Sequence, residues 1–283
     1  MRQKNKDGFT LIELLVVIGV IAILMAILVP ALHKAREQAK QVVCMTNLKQ
    51  WATLFRYYTD DNQGYYMPGI RGVGGRFSDD ECWVHLLKPY YSDIQNPTQR
   101  NAPKLRICPT AKIPQTEGGT PPDTAWAIRE RQYPPPLGRG ESEGSWPHIW
   151  NDVGSYGINW WLGSYKGADG NYPSQYKWGK ADQEWADNIP VLSDAGFMLA
   201  RPHHTSIPGP KDGMFEWDPD NGMRRVCHNR HYGGVNMCMM DGSVRNIRPL
   251  KDLWELKWHR EFDTSWGNAN IDWSQYDWLT RAE

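Results

Sequence analysis

The sequence has no excess of charge of either sign, because 32 Lys and Arg residues balance 32 Asp and Glu residues. A protein that binds the phosphates of a nucleic acid presents a basic surface, so no nucleic-acid partner is expected. The chain also has no internal repeat. Its 283 residues suffice for one globular domain with a core.

Common signatures of catalysis are missing too. The sequence contains no H-E-x-x-H zinc motif, no C-x-x-C pair and no phosphate-binding loop. These short patterns place ligands or donors at the spacing that their chemistry needs. Without them the sequence does not predict an enzyme.

Glycine and proline are abundant but unevenly placed. The 26 Gly and 20 Pro residues lie almost wholly after residue 60, where short apolar runs alternate with turn residues. This pattern predicts a region of short strands, turns and long loops. The 15 Trp residues are expected to fill its core or to lie at its surface.

One long apolar run lies near the amino terminus. Phe9–Val29 makes 21 consecutive positions whose only ionisable member is Glu13. A helix of that length crosses a hydrocarbon core of about 30 Å. The basic residues Arg2, Lys4 and Lys6 precede it, so the positive-inside rule keeps the leader in the cytoplasm and exports the rest of the chain.

The order of residues around this run is distinctive. Gly8 is followed by Phe9, Thr10, Leu11, Ile12 and Glu13, and no small-residue cleavage site follows the apolar run as it does in a secretory signal. The segment resembles the type IV prepilin signature. That resemblance implies cleavage after Gly8 by a prepilin peptidase and N-methylation of Phe9.

Glu13 is the residue of this run with the clearest functional implication. A carboxylate inside a bilayer is costly unless it finds a partner, which makes it a functional candidate. The resemblance implies that Glu13 pairs with the new amino terminus of Phe9 on a neighbouring subunit in a filament. The alternative is that Glu13 reaches the head-group layer at the membrane face.

The rest of the chain predicts an α+β protein: a long amino-terminal helix packed on an antiparallel β-sheet head with long loops. We expect a leader at residues 1–8, a membrane-inserting helix at 9–30, its amphipathic continuation at 31–62 and a head at 63–283. Pro30 is expected to kink the helix. Apolar residues at helical spacing predict that the continuation packs on the core; these are Leu48, Trp51, Ala52, Phe55 and Tyr58.

Six short runs are predicted as strands of the head. They are Cys82–Leu87, Leu105–Cys108, Ser155–Trp161, Val191–Ser193, Val235–Met240 and Ser243–Ile247. Residues 109–147 and 163–185 are predicted as long excursions outside the core. A short helix is expected from Leu250 to Trp258, because apolar residues recur there at helical spacing.

The most specific motif of the head begins at His231. Nine residues separate it from Asp241-Gly242, and this resembles the H-x9-DG region of a subgroup of prepilin-type proteins. Asp-Gly predicts a two-residue type I′ hairpin turn. An extended strand between His231 and Asp241 would separate them by roughly 30 Å, so they are not expected to form a catalytic pair.

Two interpretations of His231 remain open. It binds a metal or a ligand together with Asp194, His203, His204 or His228, or it only hydrogen-bonds the turn and fixes the hairpin. Calcium is a separate candidate, because oxygen side chains alternate before a glycine at Asp60 and Asn62 and again at Asp218 and Asp220. Asx turns are the stronger explanation of both sequences.

The five cysteines are compatible with an oxidising compartment, although an odd number leaves at least one unpaired. Cys44 with Cys108 is the preferred disulfide, and it would staple the helix to the sheet. Cys227 with Cys238 is a second pairing. Cys82 would then be left over, and the alternative is that all five cysteines are reduced and buried.

Two functions fit the sequence. The first is a structural subunit of a type IV pilus-like filament or a type II secretion pseudopilus. The resemblance implies that it meets the peptidase and an inner-membrane assembly platform, and that it moves from the inner membrane to a periplasmic or extracellular filament made with copies of itself or with other pilins. The second is a displayed carbohydrate-binding protein that uses exposed tryptophans; the candidates are Trp146, Trp150, Trp178, Trp185 and Trp266.

Overall fold

The computed structural model describes most of the chain, with gaps. The described residues are 10–67, 72–73, 76–77, 83–91, 104–111, 113–114, 124–129, 151–163, 174–209, 221–231 and 233–280. The chain divides into two units, residues 1–40 and 41–283. Gly8, Phe9, Trp146, Trp150, Asp218 and Asp220 lie outside the described residues, as does Cys82.

The first helix, α1 (Leu11–Asp61), begins in the amino-terminal unit and contains Pro30 in its interior. Its large apolar residues from Leu11 to Leu32 are between 45% and 80% exposed. The helix continues past Pro30 to Asp61, so the proline does not end it. The expected kink stays a prediction.

The last part of α1 belongs to the head and is amphipathic. Its buried residues recur at a spacing of three or four; they are Cys44, Asn47, Leu48, Trp51, Ala52, Leu54, Phe55 and Thr59. Trp51 is fully buried, and its ring lies edge-on to Trp83 at 5.0 Å between centroids. This stripe confirms that the helix forms one wall of the core.

The head contains three described sheets. The short strands β1 (Gly72–Val73) and β2 (Arg76–Phe77) pair with each other. The strands β3 (Ile113–Pro114), β4 (Thr124–Arg129) and β5 (Asn151–Gly154) form a second sheet in that order. Part of the stretch predicted as a long excursion is therefore strand.

The main sheet has five strands in the order β10-β9-β7-β6-β8. These are β6 (Tyr156–Asn159), β7 (Pro190–Asp194), β8 (Leu199–Ala200), β9 (Val235–Met239) and β10 (Val244–Ile247). All neighbours pair antiparallel except β6 and β8. The long helix and this mostly antiparallel sheet confirm the predicted α+β class.

Short helices make up the rest of the described head. The α-helices are α2 (Trp83–Leu86), α3 (Trp266–Asn270) and α4 (Asp277–Thr280). The 3₁₀ helices are Lys88–Tyr90, Lys104–Arg106, Trp160–Leu162, Ser174–Tyr176, Ala186–Asn188, Gly222–Arg225, Leu250–Glu255 and Trp273–Tyr276.

Two predicted strands are therefore wrong, because Trp83–Leu86 and Lys104–Arg106 are helical. A run of four to six apolar residues satisfies either structure, and packing decides between them. The predicted strand from Ser155 to Trp161 is strand only over β6, since Trp160 begins a 3₁₀ turn. The short helix expected after Leu250 is present as a 3₁₀ helix.

Candidate functional site

The start of α1 has a capping arrangement around Glu13. The backbone N–H and the hydroxyl of Thr10 both donate to Glu13 Oε2, each at 2.8 Å, and the N–H of Glu13 donates to Thr10 Oγ1 at 3.3 Å. This is the reciprocal capping box expected of a Thr followed three residues later by Glu. The carboxylate therefore satisfies donors at the helix start, and neither hydrogen bond to it uses Oε1.

The surface around Glu13 is apolar. Leu11, Ile12 and Leu14 are 80%, 74% and 55% exposed. Within α1, an 18-residue stretch is apolar enough to cross a membrane, and none of it is buried. Such a helix needs an apolar environment, because each large aliphatic side chain left in water forgoes about 1.5–3 kcal/mol of burial free energy.

The H-x9-DG region forms the β9–β10 hairpin. Cys238 pairs with Val244, and the N–H of Met239 donates to the carbonyl oxygen of Ser243 at 2.8 Å. Three residues thus form the loop, and Gly242 alone among them has a positive φ, +82°. The predicted two-residue type I′ turn is wrong, because Met240 leaves the ladder and only one position needs the left-handed region.

Asp241 and Gly242 have structural contacts at this turn. The carboxylate of Asp241 accepts from the N–H of Ser243 at 2.8 Å. The ammonium of Lys49 on α1 donates to the carbonyl oxygen of Gly242 at 2.7 Å. The turn is thereby linked to the helix.

His231 lies at the other end of the hairpin, in a fully buried polar group of four residues. We name this group, Cys44, Cys108, Asp194 and His231, the Asp194 cluster; one ligand atom from each lies within 4.8 Å of the others. His231 Nε2 is 3.1 Å from Asp194 Oδ2 and 3.3 Å from Cys108 Sγ. Cys44 Sγ is 3.3 Å from Asp194 Oδ1.

Four separate elements position these side chains. Cys44 lies on α1, and Cys108 follows the 3₁₀ turn Lys104–Arg106, where its N–H donates to Ser155 Oγ at 2.6 Å. Asp194 ends β7, and its Oδ2 accepts from the N–H of Asn236 on β9 at 3.2 Å. A tight turn, closed by two hydrogen bonds between the backbones of His231 and Gly234, holds the histidine beside them.

Charges inside the cluster support one another. Burial alone would raise the pKa of Asp194, but the hydrogen bond from His231 and the charges of His231 and Arg230 lower it. Burial would lower the pKa of His231, yet its contacts with Asp194 and Cys108 raise it to about 9. Cys108 has a lowered pKa of about 6 despite its burial, because Cys44 and His231 donate to it.

A second histidine group lies elsewhere in the head. His203, His204 and His259 bring ring nitrogens within 4.8 Å of one another. His259 is fully buried, and neither of its ring nitrogens has a partner among the described residues. Burial and then the neighbouring histidines lower its pKa to about 3. His203 and His204, expected as companions of His231, belong to this histidine trio instead.

Other predicted site residues have separate surroundings. His228 is buried, and neither described group includes it. Of the calcium candidates, Asp60 pairs with Arg56, and the Asn62 amide donates to the carbonyl of Tyr58 at 2.8 Å. Both residues of this first candidate sequence therefore already have partners. Cys44, Cys108, Cys227 and Cys238 are free, buried thiols in the structure, and the disulfides stay predictions.

Three of the tryptophans proposed for binding are described. Trp178 is buried and donates from Nε1 to the carbonyl of Trp258 at 3.1 Å, so it is a core residue. Trp266 is half-buried and packs against the core. Trp185 is 58% exposed and has a positive φ of 61°.

Sequence reasoning missed Arg230 and His259. Arg230 Nη1 donates to the carbonyl of Ser155 at 3.1 Å and lies 3.5 Å from Asp194 Oδ1. Its position next to His231 was the available signal. Nothing in the spacing of His259 indicated that it would meet His203 and His204.

Comparison with known proteins identifies the amino-terminal segment. Residues 3–29 match the family described as the prokaryotic N-terminal methylation motif. The chain is 45% identical over 63 residues to the type IV wide pilus major component PilA4 of Thermus thermophilus, which covers 22% of this chain and 48% of that protein. It is 37% identical over 65 residues to the type II secretion system core protein G of Pseudomonas aeruginosa, covering 23% and 46%.

The chain thus spans about half the length of these curated relatives. No solved structure matches it significantly. The match to the methylation motif ends at residue 29 and does not reach the H-x9-DG region. The chain therefore carries the prokaryotic N-terminal methylation motif and is homologous, in part, to a type IV pilus component and to a type II secretion system core protein.

Proposed function

We propose that this protein is a structural subunit of a type IV pilus-like filament or a type II secretion pseudopilus. A prepilin peptidase cleaves it after Gly8 and methylates the amino group of Phe9. One observation carries this proposal. The apolar half of α1 is not buried, it contains a single acid, Glu13, and it lies in a segment that matches the methylation motif.

The exposed apolar surface fits both the membrane-inserted subunit and the subunit assembled in a filament. Before assembly, the side chains from Leu11 to Leu32 lie in the hydrocarbon of the inner membrane, with the head outside it. In a filament, the same surfaces pack against the helices of neighbouring subunits. In each state the apolar surface is removed from water. The free energy gained in this way is the dominant favourable term in association.

Glu13 supplies the register of this packing. Its Oε2 is engaged by Thr10 within the same helix turn, and we assign Oε1, to which no hydrogen bond is seen among the described residues, to the methylated amino group of Phe9 on the next subunit. A charge pair inside a low-dielectric filament core is strong, and it penalises any stagger that leaves the acid alone.

The partners and the location follow from this assembly. The subunit meets the peptidase and an assembly platform at the inner membrane, and then polymerises with itself or with other pilins. The filament is either a periplasmic pseudopilus or an extracellular pilus. Because both named relatives are components of such systems, a structural role without catalysis fits the chain best.

Two measurements on producing cells test the proposal. Filaments sheared from the cells are examined by electron microscopy, and the amino terminus of the subunit is sequenced by mass spectrometry. We expect filaments whose subunit begins at an N-methylated Phe9. A full-length chain that still begins at Met1 and stays in the membrane, without filaments, would overturn the proposal.

A second candidate function is ligand binding by the displayed head, and Trp185 favours it. Its ring is exposed, and Lys257 Nζ lies 5.9 Å from the ring centroid. An exposed indole beside a donor is a surface on which sugar rings stack. Addition of a panel of polysaccharides should then change the tryptophan fluorescence in the wild type but not in Trp185→Ala; no response in the wild type rejects this function.

A further inference from the structure

The four side chains of the Asp194 cluster are a set of metal ligands in both chemistry and number. Two thiols, one imidazole and one carboxylate are donors that zinc accepts, whereas calcium and magnesium prefer oxygen alone. All four residues are buried, with relative exposures of 0% for Cys44, Cys108 and Asp194 and 3% for His231. A buried four-ligand set is the usual form of a structural zinc site.

Three of the six separations between the ligand atoms are close to the edges of a tetrahedron around one ion, and the other three are no longer than 4.8 Å. With bonds of about 2.3 Å to sulfur and about 2.0 Å to nitrogen or oxygen, its edges measure about 3.3 Å from nitrogen to oxygen and about 3.5 Å from sulfur to either. The cluster has 3.1 Å from His231 Nε2 to Asp194 Oδ2 and 3.3 Å from the same nitrogen to Cys108 Sγ. These separations, and the 3.4 Å from Cys44 Sγ to Asp194 Oδ2, need to change by only a few tenths of an ångström to match those edges.

Hydrogen bonds alone do not account for all the close contacts in this cluster. One nitrogen of His231 faces both Cys108 and Asp194, and one hydrogen cannot serve both fully. Likewise, Cys44 Sγ lies 3.3 Å and 3.4 Å from the two oxygens of Asp194, with one S–H to donate. A cation among the four atoms would attract all of them at once.

The surroundings balance the charge of such a site. A divalent ion with two thiolates and one carboxylate carries one net negative charge, and Arg230 at 3.5 Å from Asp194 Oδ1 supplies one positive charge. Tyr156 Oη donates to Cys44 Sγ at 3.4 Å, and the N–H of Asn236 donates to Asp194 Oδ2. Donors of this outer shell orient metal ligands and stabilise their charge.

We propose that Cys44, Cys108, Asp194 and His231 bind one zinc ion that fastens α1 to the sheet of the head. The site joins segments far apart in sequence, since Cys44 lies 150 residues from Asp194 and Cys108 lies 123 residues from His231. It gives His231 of the H-x9-DG region a role as a ligand. The proposal does not depend on filament assembly, because every ligand lies within residues 41–283.

A disulfide between Cys44 and Cys108 is the rival arrangement. Oxidation would turn two potential thiolates into an uncharged disulfide and leave the buried carboxylate of Asp194 with His231, Arg230 and the N–H of Asn236 as its described partners. The zinc site uses all four side chains, which is why we favour it. The two arrangements exclude each other, and they differ in metal content and in mass by two hydrogens.

The metal content of the full-length protein, purified in mild detergent, tests the proposal. We expect about one zinc per chain by mass spectrometry of the metals, with Cys44 and Cys108 modified by a thiol reagent only after chelation. Replacement of zinc by cobalt chloride should give thiolate-to-cobalt charge-transfer absorption and the visible bands of tetrahedral cobalt. This readout needs no variant and reports sulfur ligation directly.

Variants then assign the site. Cys108→Ser and His231→Gln should lower the zinc content from one ion per chain towards none, with the visible cobalt bands lost in parallel. Cys227→Ser and Cys238→Ser are matched controls, because these buried thiols lie outside the cluster, and both should keep the ion. His204→Gln and His259→Gln, which alter the histidine trio, should keep it as well.

Three results would overturn the proposal. The first is a wild-type chain without zinc, unable to take up zinc sulfate after reduction. The second is a chain isolated from its native compartment with a Cys44–Cys108 disulfide and no metal. The third is zinc that persists in Cys108→Ser but is lost in His259→Gln, which would place the ion at the histidine trio. Filament formation is scored separately, so a failure here leaves the proposed function untouched.

Discussion

The two halves of α1 are both α-helical, but their apolar side chains differ in exposure to solvent. From Leu11 to Leu32 the large apolar side chains are exposed, whereas from Cys44 to Thr59 eight residues are buried in the head. The first half is apolar on every side, and the second has an apolar stripe and a polar face. A helix that is apolar all round needs a membrane or other helices, and an amphipathic helix needs only one core.

The difference shows that one continuous helix can serve two kinds of packing. The head supplies the partners of the second half, such as Trp83, Tyr91 and the carbonyl of Leu105, which surround Trp51. In the proposed filament, the partners of the first half are the helices of neighbouring subunits. Substitutions in the two halves should therefore affect different measurements, assembly in the first and unfolding of the head in the second.

The largest effect is expected at Glu13, on assembly. Glu13→Ala removes the proposed partner of the neighbouring amino terminus and should abolish filaments or reduce them at least tenfold, counted by electron microscopy. Glu37→Ala, on the same helix but beyond the apolar run, should assemble normally. Thr10→Ala removes the hydroxyl donor but keeps the backbone N–H donor and the acid, and it should still form filaments. If Glu13→Ala assembles like the wild type, Glu13 only caps the helix.

Trp51→Ala should cause the largest loss of stability in the head. Removal of a fully buried indole costs about 3–5 kcal/mol, and here it also leaves the carbonyl of Leu105 without its donor. Urea unfolding of the protein in detergent, followed by circular dichroism, measures the change. Val17→Ala, in the exposed half, should leave the unfolding midpoint of the head unchanged; an equal loss in both would contradict the division of α1.

Acid should destabilise the head through His228. Its burial and the nearby charge of Arg230 lower its pKa to about 4, against about 6.5 in an unfolded chain. The unfolded state therefore takes up a proton first, and stability falls as the pH drops from about 6.5 to 4, by about 3 kcal/mol for this group. His228→Gln, compared with wild type in urea at several pH values, should lose less stability over that range. Identical pH profiles would rule out this role for His228.

Gly157→Ala should have a smaller effect, where β6 lies against β8. A Cβ there would collide with the carbonyl oxygen of Phe197 and lie 2.8 Å from the Cβ of Ala195. Such overpacking costs about 1–3 kcal/mol, measurable by urea unfolding. Gly19→Ala is the matched control in the exposed half, because nothing lies within 4 Å of its new Cβ. Tolerance of Gly157→Ala would mean that the backbone can relax there.

The smallest effect is expected at the surface pair of Arg56 and Asp60. Arg56 Nε lies 3.0 Å from Asp60 Oδ1, and the two side chains are 73% and 55% exposed. Exposed pairs of this spacing contribute about 0.3–0.5 kcal/mol at most. Arg56→Ala should therefore shift the urea midpoint barely beyond error, whereas a large shift would show that this end of α1 packs more tightly than its exposure indicates.

Sequence analysis predicted the elements whose apolar residues recur at a regular spacing or that contain a specific turn motif. The apolar run and the stripe from Leu48 to Phe55 gave α1 and its buried face, and the alternation around Asp241-Gly242 gave the β9–β10 hairpin. The stretches around Trp83 and Leu105 were assigned wrongly. They are too short for a period to separate strand from helix, and their conformation depends on contacts with distant residues.

The Asp194 cluster shows the same limit for a site. The sequence nominated His231 with Asp194, His203, His204 or His228 and, separately, Cys44 with Cys108. It could not show that Asp194 and His231 share one place with the two cysteines, since that depends on how β7, α1 and two loops meet. The histidine trio was beyond reach for the same reason: His259 follows a tryptophan-rich stretch with no spacing that relates it to His203.

The hydrogen bonds between Thr10 and Glu13 also bear on how readily a filament could be taken apart. A subunit waiting in the membrane already satisfies its one buried acid with donors from its own first turn. In the proposed filament, the methylated amino group of the neighbouring Phe9 would add a donor at Oε1 while Thr10 keeps Oε2, so the acid would have donors before assembly as well as after it. Subunits held together in this way could return to the membrane without stranding a bare charge in lipid, so the same contact would permit both growth and retraction.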